Sequence, residues 1–257
     1  VQMVCFCDHC MAAFNRRYRT DFTRATLAAI FDTGSVEEKM EWRRRRQSFS
    51  AESIASLFTL AADTIHDVSD AIEVGAMDAG IRPGDNGDLG VFARALAGKR
   101  GKPVRWRPGG GSYTDRSLDE FLLGKAMFLG VGAAWLPDEV TNIPSEVENF
   151  NYQRLAKSRH ATAMEACLYN AAGLTGTAWN VLDNTADALE TYRPLLETLT
   201  AVRPFLDLQT ATHGRSRPVG IYNGWTPDWN IGRNLDSGSW TQVTGFDDPH
   251  AHELFAA

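Results

Sequence analysis

The chain is predicted to be α/β: the C-terminal half of a TIM-type (β/α)8 barrel over residues 1–207, then the start of a second α/β domain over residues 208–257. Three observations predict this. Short apolar runs that read as strands begin near residues 72, 103, 140 and 176, with helical sequence between them. Their spacing of about 31 to 37 residues is the period of a βα unit in a parallel sheet. Polar and aromatic residues gather just after each run, where a barrel presents its substrate-facing ends. After Pro204 the character changes, through the polar stretch THGRSRP, to a short apolar run at 219–222 and tryptophans in polar loops. Four βα units are half a barrel and would leave open sheet edges, so the barrel is expected to have lost its first half before Val1.

Each element has a local signature. Helical sequence is expected from Asp8 to about Ile30, then a polar insert at 32–35. A second helix is expected from near Ser50 as N-cap, with Ile54, Leu57, Phe58, Ala61 and Ile65 as a 3.6-residue stripe. Its end carries His66, read as a helix C-terminal residue rather than a ligand. The run IEVGAM (72–77) reads as a buried strand ending in Asp78, followed by a short helix at 89–96. PVRW (103–106) is the next strand, ending in Arg107, a glycine run at 109–111 and Tyr113. The glycines read as a sharp turn close to a ligand, because the Lys and Ser/Thr of a phosphate loop are absent. A helix at 117–130 opens on a capping box, Ser117 and Glu120. VTNIPSEVENFNY (140–152) is the third strand. A helix at 155–172 follows, with Ala161, Met164, Cys167, Leu168 and Ala171 on one face and Gly173 as its stop. GTAWNV (176–181) is the fourth strand, and a helix at 185–202 closes the half barrel. Beyond it, Asp248-Pro249 reads as the start of a final helix.

Bulk properties exclude some classes of function. The chain of 257 residues has a net charge of −6 and is 44% hydrophobic, as a soluble globular protein is. Scattered acidic charge argues against nucleic acid and against an anionic membrane surface as partners. The basic run Arg43-Arg44-Arg45-Arg46 follows Glu37, Glu38 and Glu41, and reads as a solvated helix face. No run of 18 apolar residues suggests a membrane span. No signal peptide is visible in an opening, VQMVCFCDHC, that starts at Val1; the compartment stays open, leaning to the cytoplasm.

Two clusters carry chemistry. Cys5, Cys7 and Cys10 form C-x-C-x-x-C, three thiols close enough in sequence to converge on one metal ion. They read either as a structural zinc site, with a fourth cysteine before Val1, or as reduced thiols. A catalytic zinc is not the expectation, since three thiolates would strongly neutralise its Lewis acidity. Cys167 reads as a small buried hydrophobe. The other cluster is the third strand, which delivers Glu146 and Glu148 to its C-terminal end beside Asn149, Phe150 and Tyr152. Residues two apart in a strand share a face. Trp106 and Trp179 are candidates to stack on sugar rings, or else core. Asp78, Arg107, Tyr113, Asn149, Tyr152 and Asn180 are candidate ligands for hydroxyl groups.

On these residues the chain resembles clan A glycoside hydrolases, nearest in plan to the family 42 β-galactosidases and their uncharacterised relatives. CFCDHC with Phe14 is similar to the cysteine cluster that holds structural zinc there. SEVENFNY with Lys157-Ser158 resembles the seventh strand, which carries the nucleophile. The segment 219–257 is similar to the start of the family's amidotransferase-like second domain, which implies homo-oligomer contacts. The resemblance implies a retaining mechanism on a carbohydrate substrate, with Glu146 as nucleophile, Glu148 beside it and the acid/base carboxylate upstream of Val1. No catalytic cofactor is implied. Two rivals remain: a non-catalytic carbohydrate-binding or scaffold protein on a degenerate barrel, and a metal-dependent hydrolase with Asp78 and His160 as ligands. The second would want clustered histidines, and the six here are dispersed.

Overall fold

The computed structural model describes residues 5–78, 89–109, 112–115, 118–149, 156–182, 187–217, 231–232, 234–236 and 238–240, without the side chains of 118–121. Its elements are helices α1 (Asp8–Tyr18), α2 (Arg24–Thr33) and α3 (Val36–Val68), then β1 (Val74–Asp78), α4 (Leu89–Ala97), β2 (Val104–Pro108), α5 (Leu118–Trp135), β3 (Val140–Asn142), β4 (Pro144–Glu148), α6 (Arg159–Ala171), β5 (Gly176–Asn180), a 3-10 turn (Leu189–Tyr192) and α7 (Arg193–His213). The expected strand at 219–222, the helix from Asp248 and the capping box of Ser117 and Glu120 lie outside the described residues and side chains.

Among the described residues every strand pairing is parallel: β1 with β2, β2 with β3, and β4 with β5. The fold is therefore mixed α/β with parallel strands in small sheets. The third predicted strand is interrupted at Ile143. Thr175 takes over the backbone of that residue: the Ile143 N–H donates to Thr175 Oγ1 at 2.6 Å, and the Thr175 N–H donates to the Ile143 carbonyl at 3.0 Å. β3 thus pairs backwards with β2 and β4 forwards with β5. Gly75 is required where β1 meets β2, because a Cβ there would collide with the Arg105 carbonyl.

Strand alternation divides the two sheet faces. Val74, Val104, Trp106 and Val147 enter one core with Leu89, Phe92, Leu96, Leu129, Tyr169 and Leu206 from the helices. The opposite face carries Met77, Arg105, Arg107, Glu146, Glu148 and Asn180. α6 ends as expected, with Gly173 at φ +102°. Its buried face, however, is Ala161, Thr162, Glu165, Ala166 and Tyr169, while Met164 is exposed. α7 runs through the expected domain boundary at 207/208 to His213.

The N-terminal helices correct three expectations. The helix expected over 8–30 breaks after Tyr18, where Arg19 adopts φ 55°. Asn15 organises the break: its Oδ1 accepts from the Phe22 N–H at 3.1 Å, and its Nδ2 donates to the Phe22 carbonyl at 2.8 Å. Ser50 caps nothing and lies buried inside α3, which starts at a capping box of Ser35 and Glu38. Leu57 is exposed, whereas Ile54, Phe58 and Ile65 of the same expected stripe do reach the core.

The arginine run is not one solvated face. Arg45 pairs with Glu41 as expected, but Arg43 and Arg46 are buried. Arg43 donates to the carbonyls of Phe31 at 2.9 Å, Ile231 at 3.0 Å and Asn234 at 3.3 Å. Lys39 Nζ donates to the Leu235 carbonyl at 2.6 Å, and the Trp240 N–H donates to Asp32 Oδ1 at 2.9 Å. These bonds tie a late segment of the chain to α2 and α3, where Trp240 joins Met11, Phe14, Leu27 and Phe31 in a second, largely aromatic core. Among the described residues, no helix is long and apolar enough to cross a membrane.

Candidate functional site

The polar sheet face brings together the two carboxylates at the C-terminal end of β4. Register sets Glu146 beside Ala178 and Glu148 beside Asn180. Arg107, from β2, forms an ion pair with Glu146, the two side chains being 22% and 15% exposed. Asn180 Nδ2 donates to Glu148 Oε1 at 2.9 Å. Burial pushes the Arg107 guanidinium below the ordinary arginine value, and the charge of Glu148 opposes this. The arginine therefore feels both carboxylates. Tyr113 stands nearby on the β2–α5 loop; its hydroxyl is pushed up by burial, with the charges of Glu148 and Glu165 adding to the effect. Lys125 Nζ lies over the Tyr113 ring, 5.4 Å from the centroid.

Neither tryptophan lies on the face of the two carboxylates. Trp106 precedes Arg107, so alternation turns it to the helix-packed face, where it is 3% exposed. Trp179 pairs in register with Val147 and shares its face, away from Asn180, although it is 38% exposed. Asp78 ends β1 two residues beyond Ala76, on the same side as Trp106, and its carbonyl accepts from the Gly109 N–H. Asn149 continues β4: its N–H donates to the Asn180 carbonyl at 3.0 Å. Tyr152 lies outside the described residues.

Sequence reasoning missed what lies beneath. Glu165, on α6, is fully buried; its Oε1 accepts from the Ser112 N–H at 2.7 Å and from the Tyr169 hydroxyl at 2.8 Å. Its other oxygen pairs with Lys157, which is equally buried and also donates to the Glu148 carbonyl at 3.3 Å. Asp115 Oδ1 accepts from the Ser158 N–H at 2.9 Å. Together these bonds lash the loop bearing Tyr113 to the loop after β4. Burial pushes Lys157 below the ordinary lysine value, with Glu165 opposing, and pushes the Tyr169 hydroxyl far up. The available signal was a lone glutamate among Ala161, Thr162, Ala166 and Tyr169 at helical spacing.

The three cysteines do converge. Sγ atoms of Cys5, Cys7 and Cys10 all lie within 4.8 Å of one another. A zinc ion with Zn–S bonds of about 2.3 Å would set sulfurs about 3.8 Å apart, so a small closure would suit a thiophilic ion. Cys7 is the N-cap of α1, and hydrogen bonding from the Cys10 N–H, then from the neighbouring thiols, lowers it to about 7. Cys10, paired with it and partly desolvated, is pushed up to about 11. Arg46 lies behind the cluster, its guanidinium lowered by burial and opposed by the charges of Cys10, Cys5 and Cys7, in that order. Cys167 lies apart, packed against the main core, as expected. Among the described residues this is the one group of three or more metal-ligating side chains, so Asp78 and His160 form no site of that kind. No protein-family model matches the chain, and no curated protein or solved structure matches it either.

Proposed function

We propose that the chain is the C-terminal half of a (β/α)8 barrel belonging to a retaining glycoside hydrolase of β-galactosidase-like type, followed by the start of a second, amidotransferase-like domain that serves homo-oligomer contacts. The observation that carries this reading is the Arg107–Glu146 pair beside Glu148–Asn180, at the C-terminal ends of neighbouring parallel strands. Glu146 attacks the anomeric carbon and forms a glycosyl ester as the leaving alcohol takes a proton from a carboxylic acid on a strand preceding Val1, which becomes a carboxylate. Water, deprotonated by that same carboxylate, then releases the sugar. Arg107 supplies the positive charge that keeps the nucleophile an anion before attack. Glu148, held by Asn180, binds a sugar hydroxyl, and Tyr113 offers the accessible ring at the mouth. Cys5, Cys7 and Cys10, with a fourth cysteine, hold a structural zinc ion remote from this chemistry.

The test is made in the full-length protein. Glu146→Ala should abolish hydrolysis of an activated aryl glycoside while leaving the fold intact, and azide should restore part of the activity by attacking from the emptied space. Glu148→Ala should act mainly on substrate binding. If Glu148→Ala is the dead, azide-rescued variant, the two roles are exchanged. Full activity in both variants would remove the glycosidase reading.

A further inference from the structure

Among the described residues, Arg46 is a buried cation without an ion-pair partner. It is 1% exposed and lies among the rings of Phe6, Phe14 and Phe49, with its guanidinium carbon 5.0, 5.5 and 5.3 Å from their centroids. Nη2 donates to the Cys5 carbonyl, whereas Nε and Nη1 have no hydrogen-bond partner among the described residues. Among the described residues no carboxylate pairs with it. Three ring faces and one carbonyl offset only part of the cost of taking a guanidinium out of water. Arg43, one turn earlier, shows the contrast, since it spends its nitrogens on several carbonyls. Against Arg46 lie the carbonyl of Cys5 and the ring of Phe6, from the stretch of chain that carries the thiol cluster.

We propose that Arg46 is the built-in counter-charge of an anionic polythiolate metal centre at Cys5, Cys7 and Cys10. This rests on the reading of the cysteines as a metal site and is independent of the glycosidase reading. Neutral thiols offer the guanidinium nothing. A divalent ion held by three thiolates has a net charge of −1, and by four, −2. The centre formed on metal binding is thus the anion that the buried cation lacks, and the cation in turn favours thiolate over thiol. Metal affinity and the charge at position 46 are coupled.

The experiment is zinc affinity by chelator competition on the reduced full-length protein, with the thiolate-to-metal charge-transfer band of the cobalt form as a second readout. Arg46→Met and Arg46→Gln should bind zinc about 10–100-fold more weakly, the usual scale for losing an outer-sphere partner. Arg46→Lys, which keeps the charge, should stay close to wild type. Thermal unfolding without metal gives the other half: there Arg46→Met should be no less stable than wild type, because it removes an uncompensated charge, and its stabilisation by zinc should be the smaller. Equal zinc affinity in Arg46→Met and wild type would overturn the proposal. So would equal losses in Arg46→Lys and Arg46→Met, which would make the residue a packing element. If Arg46→Met does not fold, the comparison of Arg46→Lys with Arg46→Gln decides. Failure of wild type itself to bind zinc or cobalt would remove the metal reading, and the proposal with it.

Discussion

Replacing Glu165 by Gln should be among the most damaging single changes in this protein. The substitution preserves size and leaves one acceptor oxygen. It strips the negative charge from a group that is fully buried and that holds Lys157, the Ser112 N–H and the Tyr169 hydroxyl at once. The new amide nitrogen must also face one of those donors. Lys157 is left as a buried ammonium, and breaking such a pair from one side costs about 3–5 kcal/mol. For a chain of this size that is a fall in Tm of about 6–20 °C, a large share of a typical total stability of about 5–15 kcal/mol. The double variant Glu165→Gln/Lys157→Met carries no stranded charge and should lose less than the two single losses added together. The penalty in Glu165→Gln should also depend on pH. Burial already pushes Lys157 below the ordinary value of 10.5, and Glu165 is the first group opposing it. Without Glu165, the unfolded chain binds more protons than the folded one over the alkaline range below 10.5. Stability of the variant should therefore rise with pH through that window as the stranded lysine sheds its proton. Urea unfolding of the four proteins across pH, with hydrogen exchange at 112–115, measures all of this. A loss under about 1 kcal/mol in Glu165→Gln, or strict additivity in the double variant, would refute the reasoning.

Three further predictions follow from the same geometry. Trp240→Ala should cost about 3–5 kcal/mol in urea unfolding, since the ring is buried edge-on against Phe31 with centroids 4.9 Å apart; no loss would mean that 231–240 does not hold α2 and α3 together. In the metal-free, reduced protein, Cys7 should be alkylated well before Cys10 near neutral pH, its rate half-maximal near pH 7, and added zinc should protect both; equal rates would contradict the N-cap hydrogen bonding. Asp70, whose carboxyl is held below 3.8 by hydrogen bonds from Arg100 and Lys102, should contribute stability that is present above that pH and lost as pH falls further; Asp70→Asn should flatten this acid limb, and salt should shrink the effect in wild type.

What was legible in the sequence is what one element encodes within itself. The strand positions follow from short apolar runs repeated at a βα period, and the parallel pairings agree. A period of two puts Glu146 and Glu148 on one face without reference to any neighbour, and Gly173 marks its helix end through its own backbone freedom. The cysteine spacing announces its own convergence. What only the tertiary structure decided is which face of each element another element covers. Trp106 and Arg107 are adjacent in sequence and fit either face equally well; helices packing on one side of the sheet made the first core and the second a partner of Glu146. Arg43 and Arg46 look like a solvated charge run until carbonyls from Phe31 and Ile231 and the phenyl rings around Arg46 arrive from elsewhere in the chain. Asn15 ends a helix that has no glycine or proline to stop it, because Phe22 folds back onto its side chain. The Lys157–Glu165 pair is affordable only where Ser112 and Tyr169 complete its hydrogen bonds. A buried charge is stable or ruinous according to partners distant in sequence, and no periodicity within one segment records where they are.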